Sequence, residues 1–344
     1  MRQLKYSDAI AEATCLAMER EPKLFVLGEG VDDPKGSFGT TLLPFQKFGK
    51  DRVLDMPLSE NAMTGIAIGA AVAGHPCLMV HLRSEFLLLA MDQVVNHAAK
   101  WHYMFGEKFR VPLTIRCVIG RGWGQAAQHS QSFHGLFAAI PGLKVVLPSN
   151  AYDAKGLLLS ALEDPNPVIF IEHRWLHGKA ESVPEAYYVE PIGKATILAP
   201  GKDLTCVAVS HSVHDALAAR AHLLSEGIDM EVIDLRSARP LDEATILESI
   251  HRTGRLLVCD ISSPHCGIAS EIASLAATKG FASLRAPVAM VTLPDLPTPC
   301  SPILEESYYP KPENIVQAAR SLTRTKARHT TAVDSNHIEF LGPF

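Results

Sequence analysis

Glu60 stands at the mouth of a helical stretch whose side chains suit close packing: Asn61-Ala62-Met63-Thr64-Gly65-Ile66-Ala67-Ile68-Gly69-Ala70-Ala71. A carboxyl group in that place has two uses. In the first turn of an ordinary helix it simply answers the helix dipole. In an apolar pocket, desolvation opposes its ionisation, so it keeps a proton to share with a ligand. His129 is the second residue of interest, within Gln128-His129-Ser130-Gln131, after a loop holding Gly120, Gly122 and Gly124. Glycine-rich backbone can approach a ligand closely, and a histidine there can titrate near neutral pH. It is one of fifteen histidines, most of which must be structural or on the surface. Phe86 reads from periodicity as a core aromatic opening a helix with Leu88, Leu89 and Met91.

The elements around these residues follow from the apolar runs. A short strand, Arg52-Val53-Leu54, leads toward Glu60 and is over by Pro57; the Ser59 hydroxyl is expected to cap the next helix. Gly65, Gly69 and Gly74 are expected to admit another backbone. An opening helix is predicted from Ser7 to just before Pro22, then a buried strand over 23–28. Further apolar runs occupy 77–81, 111–118, 144–147 and 167–171, separated by helical patterns, the longest over 86–104. Such alternation argues for an α/β fold with a parallel sheet covered by helices on both faces. Ligands of such sheets bind beyond the strand ends, where Glu60 falls.

Between Leu176 and Leu204 the pattern degrades into Gly, Pro and charged residues, which suggests a linker. A second alternating unit begins with Leu204-Thr205-Cys206-Val207-Ala208-Val209 and continues through runs at 230–235 and 255–260. The predicted organisation is a first domain over 1–188, a linker over 189–203, a smaller α/β domain over 204–322 and a tail over 323–344.

Composition sets the outer bounds. With 344 residues, 47% of them hydrophobic, the chain can bury a large core. The net charge of -5, both signs interspersed, leaves no nucleic-acid or membrane-surface footprint. Seven scattered cysteines without a C-x-x-C pair argue for reduced thiols and a cytoplasmic setting. No apolar stretch is long and unbroken enough to span a bilayer, and the opening residues carry no apolar signal segment.

Several motifs recur in one register: Glu60 with its Gly-rich helix, Glu85-Phe86-Leu87-Leu88-Leu89-Ala90-Met91-Asp92-Gln93, Asn96-His97-Ala98-Ala99-Lys100, Gln128-His129-Ser130-Gln131, Pro141-Gly142-Leu143-Lys144-Val145-Val146 and Asp153-Ala154-Lys155-Gly156. In this order the chain resembles, to about Leu322, the β subunits of thiamine-diphosphate-dependent 2-oxoacid dehydrogenases, the family of the pyruvate and branched-chain enzymes. The resemblance implies a pyrimidine-binding domain of transketolase type followed by a smaller transketolase C-terminal-type domain. It implies that Glu60 shares a proton with the cofactor's aminopyrimidine ring, with Leu58 and Phe86 also touching the cofactor and Phe86 stacking on that ring. His129 would line the active-site channel and act in proton transfer or in receiving a lipoyl group. A monovalent cation, potassium, is implied around Leu113, Ala161, Leu162, Asp164 and Asn166, where a helix C-terminal turn is an equally good reading of the Asp and Asn.

Absences matter too. The Gly-Asp-Gly segment that holds a diphosphate through Mg2+ does not occur, nor does a phosphate loop or a complete G-x-G-x-x-G; Gly28-Glu29-Gly30 lacks the third glycine. The resemblance therefore implies an α subunit that supplies the diphosphate and metal site, in an α2β2 heterotetramer. Leu82-Arg83-Ser84-Glu85-Phe86 and Ile119-Gly120-Arg121-Gly122-Trp123-Gly124 depart from the family pattern near where substrate should enter. Arg83 could meet an anionic substrate group or an ion-pair partner. Three readings follow: a 2-oxoacid dehydrogenase β subunit passing an acyl group to the lipoyl-lysine of an acyltransferase core, a two-subunit acyloin-forming or transketolase-like carboligase, and a non-catalytic assembly partner. The tail could block, replace or reposition docking to the core.

Overall fold

A computed structural model describes residues 2–33, 35–121 and 124–324. The first part supplies β1 (Arg2–Lys5), β2 (Phe25–Gly28), β3 (Val53–Asp55), β4 (Cys77–His81), β5 (Leu113–Ile119), β6 (Lys144–Val146), β7 (Val168–His173) and β8 (Ala180–Val183). The second supplies β9 (Thr196–Ala199), β10 (Leu204–Ala208), β11 (Met230–Asp234), β12 (Ser237–Arg239), β13 (Leu256–Cys259) and β14 (Ala289–Val291). A seven-stranded sheet has the order β12-β6-β7-β5-β4-β2-β3, parallel except for β12. A five-stranded sheet has the order β14-β13-β10-β11-β9, parallel except for β9.

The central strands β4, β5 and β7 are buried along their whole length, as expected of a parallel sheet covered on both faces. One face carries the Tyr6–Arg20 and Ala151–Glu163 helices, packed through Ala9, Ile10, Ala13, Leu157 and Leu158 against Leu78, Val80 and Phe170. The other face carries the Glu60–Val72 helix, and its apolar core runs on without a break into Val207, Ile233, Ile246, Ile250 and Ile272 of the second unit.

Several local expectations change. The stretch read as a linker contains β9, which closes the second sheet, and β8 pairs with β1 in a two-stranded ribbon. β12 lies within the second unit's sequence yet joins the first sheet, so the chain crosses back between them. The helix expected over 86–104 is four pieces: Ser84–Leu87, a 3-10 turn at Leu88–Ala90, a π turn at Gln93–Ala98, and Trp101–Met104. Ser59 makes no side-chain cap to the helix that Glu60 opens. The tail beyond Arg324 lies outside the described residues.

Candidate active site

β2 and β3 end side by side, with Gly28 in register with Asp55, so the loops that follow them share one edge. Asp55 accepts the Gly30 N–H at 2.7 Å and ties those loops together. The Glu60–Val72 helix then turns back over the sheet. Its buried positions, Glu60, Thr64, Ala67, Ile68 and Ala71, follow the 3.6-residue period. Thr64 fixes its depth, with Oγ1 donating to Glu60 O at 2.7 Å and lying 3.3 Å from Met79 Sδ of β4. Glu60 is thereby held almost out of solvent at the strand ends, 8% exposed, and Leu58 stands out beside it at 84%.

Glu29, at the end of β2, faces Glu60. Burial pushes its carboxyl up, and the charge and hydrogen bond of Glu60, then the charge of Asp55, push it further in the same direction. A second carboxyl that close makes ionising Glu29 costlier, which is why its proton is held more tightly than in an ordinary glutamate. Glu29 Oε1 has no partner among the described residues. Sequence reasoning saw Glu29 only as part of an incomplete glycine motif. The available signal was a second acid at a neighbouring strand end.

Phe86 and His129 are brought together, their rings 5.4 Å apart and tilted by 53°. His129 closes a 3-10 turn, Ala127–His129, and its Nδ1 is buried without a partner among the described residues. The loop leaves β5 at Gly120, whose φ is +82° and where any Cβ would meet the His173 ring at 2.6 Å. Arg83, 2% exposed, is turned into this loop rather than outward: it donates to Gly120 O and Gln125 Oε1. Glu85 accepts the Gln131 N–H at 2.8 Å. His81, at the end of β4, went unnoticed in the sequence; burial pushes its imidazole down to about 4, so it is neutral at pH 7.

The second unit reaches the same loop. Arg121 pairs with Glu305 and lies over the Trp175 and Tyr309 rings at 5.2 and 5.3 Å. His134 Nε2 meets Asp260 Oδ1 at 2.8 Å, both fully buried. A cleft of about 650 Å³ lies between this loop and Ser262, Cys266, Asp295 and Tyr308.

The expected cation turn is present as a cluster. Thr114 Oγ1, next to Leu113, donates to Ala161 O at 2.9 Å, and that carbonyl also accepts the Asp164 N–H at 3.3 Å. Asp164 accepts the Asn166 N–H at 2.9 Å and pairs with the Lys144 ammonium. Leu162, the last-but-one residue of its helix, adjoins the same turn. Asn166 Oδ1 is buried without a partner among the described residues.

A parallel sheet with an acid pair at its strand ends, followed by a second α/β unit, accords with a transketolase-like protein. The transketolase pyrimidine binding domain matches residues 2–178, and the transketolase C-terminal domain matches residues 193–315. The chain is 45% identical over 333 residues to the acetoin:2,6-dichlorophenolindophenol oxidoreductase β subunit of Bacillus subtilis, covering 93% of this chain and 97% of that one. It is 39% identical over 323 residues to the mitochondrial pyruvate dehydrogenase E1 component subunit beta-1 of Arabidopsis thaliana, covering 93% and 89%. A solved split-gene transketolase, described as an inactive β4 tetramer, shares the fold with a TM-score of 0.76 at 24% identity, covering 93% and 98%. The chain belongs to the family of β subunits of thiamine-diphosphate-dependent 2-oxoacid dehydrogenases. No helix among the described residues is long and apolar enough to cross a membrane.

Proposed function

We propose that this chain is the pyrimidine-side subunit of a two-subunit dehydrogenase that decarboxylates a 2-oxoacid, active only with an α subunit in an α2β2 assembly. The observation that carries this is the facing pair at the strand ends, a buried Glu60 and a partly buried Glu29. Thiamine diphosphate, when bound, supplies a carbon acid that adds to a carbonyl and then serves as an electron sink. Glu60 would share a proton with the cofactor's ring nitrogen, with Glu29 facing it across the strand ends. Leu58 and Phe86 would hold the ring, and His129 would hold or move a proton where substrate enters. Glu29's unpartnered oxygen and His129's unpartnered nitrogen suit a site completed by a ligand.

The Mg2+ and diphosphate fall to the α subunit, since this chain lacks the motif for them. At the Asp164 turn, Lys144 already supplies the positive charge, so a potassium ion there would have to displace it. The residues therefore fit an internal ammonium better, and no role is assigned to potassium.

A second reading replaces the 2-oxoacid with an acyloin such as acetoin. Arg83 favours it: both terminal nitrogens of its buried guanidinium are already engaged by Gly120 and Gln125, so it offers no two-pronged fork to a substrate carboxylate. Two relatives, 45 and 46% identical, carry acetoin in their names. The test is co-expression with the α chain, followed by reduction of dichlorophenolindophenol with pyruvate, branched 2-oxoacids or acetoin, each with and without a lipoyl domain. Turnover with 2-oxoacids supports the first reading, and turnover with acetoin alone supports the second. An assembled, cofactor-loaded enzyme inert toward all of them would leave the non-catalytic partner as the better account.

A further inference from the structure

We propose that Glu85 is a positioning residue, setting the loop that carries His129 and hence the place of His129 against Phe86. The inference rests on reading those two residues as part of the site. Apart from the turn at Ala127–His129, the loop from Gly120 to Ser132 makes no backbone–backbone hydrogen bond among the described residues. Side-chain contacts, by contrast, reach both of its ends. Three consecutive residues make them from within the first domain. Arg83 donates to Gly120 O and Gln125 Oε1, at the start and middle of the loop. Ser84 Oγ lies 3.4 Å from Gln131 O, and Glu85 Oε1 accepts the Gln131 N–H at 2.8 Å, at its end.

Gln131 is two residues beyond His129, and Glu85 is one residue before Phe86. The single turn of helix at Ser84–Leu87 thus carries both the aromatic and the anchor for the histidine loop. Moving one moves the other, so the spacing of Phe86 and His129 is set locally. Arg83 fixes the far end of the loop, leaving Glu85 to make the shorter of the two hydrogen-bond contacts that hold Gln131, with Ser84 the longer. Without Glu85's oxygen, the Gln131 N–H loses its acceptor, and only the longer Ser84 Oγ contact to Gln131 O is left to hold the last stretch of the loop against the ring.

The experiment uses the full chain assembled with its α subunit at saturating thiamine diphosphate, comparing Glu85→Ala, Glu85→Met, Glu85→Gln, His129→Ala and the double variant. Glu85→Ala should lower kcat by about tenfold, the scale of a misplaced group, and leave cofactor affinity within roughly threefold. Glu85→Gln keeps an acceptor oxygen and should retain most of the turnover. In the His129→Ala background, Glu85→Ala should add less than about twofold, because coupled residues are not additive. His129 should also become more reactive toward diethyl pyrocarbonate in Glu85→Ala, a readout independent of turnover. Should the alanine variant fail to assemble, Glu85→Met, which keeps the bulk without the acceptor, should show the same losses. Normal turnover in His129→Ala would overturn the site reading itself. Impaired His129→Ala beside unimpaired Glu85→Ala and Glu85→Met, or fully additive losses, would overturn the role of Glu85 alone.

Discussion

Glu60 and Phe86 carry the sharpest expectations because the proposed function gives each one job that a close substitute could not do. Glu60→Gln keeps the shape and the helix start but cannot pass a proton to a ring nitrogen. Turnover of the assembled enzyme should fall by roughly a hundredfold or more, the usual effect of removing a positioned acid–base group. Near-normal turnover would reduce Glu60 to an acid answering the helix dipole. Phe86→Ala should weaken cofactor binding more than it slows the loaded enzyme, since stacking of this kind contributes about 0.5–1.5 kcal/mol, or roughly two- to tenfold in Kd. Calorimetry on a variant with an unchanged melting profile decides it; unchanged affinity returns Phe86 to the core. The motifs pointed to Glu60, Phe86 and His129, and the structure brings Phe86 and His129 into contact. Glu29 and His81 escaped notice because their significance is tertiary. One matters through the acid opposite it, the other through burial that deprives both ring nitrogens of partners.

The Glu60–Val72 helix has a face that the chain itself does not cover. Ala62, Ile66 and Gly69 are exposed, and a Cβ built at Gly69 would meet nothing within 4 Å, whereas one at Gly65 would lie 3.2 Å from Gln93 Oε1. The glycines were expected to admit another backbone, but within this chain Gly69 admits none. That face is where a helix of an α partner could approach. Gly69→Leu should therefore leave the isolated chain folded, even slightly stabilised, since glycine costs a helix about 1 kcal/mol. Assembly with the α subunit should weaken by about tenfold or more. Sedimentation of the mixture, beside a thermal melt of the single chain, separates the two effects; normal assembly would mean the face stays in solvent. The strands were readable because buried parallel strands are continuous apolar runs, and β4 coincides with its run at both ends. β1 and β8 were missed because a short ribbon with mostly exposed side chains has no such run. The break between 86 and 104 was missed because apolar spacing does not reveal a change from 3-10 to π winding.

Across the assembled chain, buried charge gathers where the two sheets' units meet, and it responds to pH in two opposite ways. Asp260, after β13, is fully buried. Burial opposes its ionisation, but the charge and hydrogen bond of His134, with those from Ser262 and the Ala269 N–H, outweigh burial and hold it below its usual value. A depressed acid stabilises the fold above its unfolded pKa, and that contribution is lost as pH falls through the folded value. Asp234, at the end of β11, goes the other way. Burial first, then the charge of Asp153, push it up to about 7, against the Ser149 hydroxyl, the Arg236 N–H and the Arg236 charge. The folded state then binds a proton that the unfolded state has released, so this group costs stability increasingly as pH rises from about 4 to 7. Asp234→Asn should remove that cost while keeping an acceptor for the Arg236 N–H, now 3.1 Å away, and a partner for Ser149. Relative to the parent chain, Asp234→Asn should gain stability steadily across that window, by on the order of a few kcal/mol at most. Asp260→Asn should instead be most destabilised near neutrality and approach the parent only in acid. Urea unfolding of the three chains from pH 4 to 8 measures both trends. A difference between Asp234→Asn and the parent that does not change with pH would mean that Arg236 already neutralises Asp153 and Asp234 together. The boundary would then be held by ordinary ion pairs, without a proton stored at Asp234.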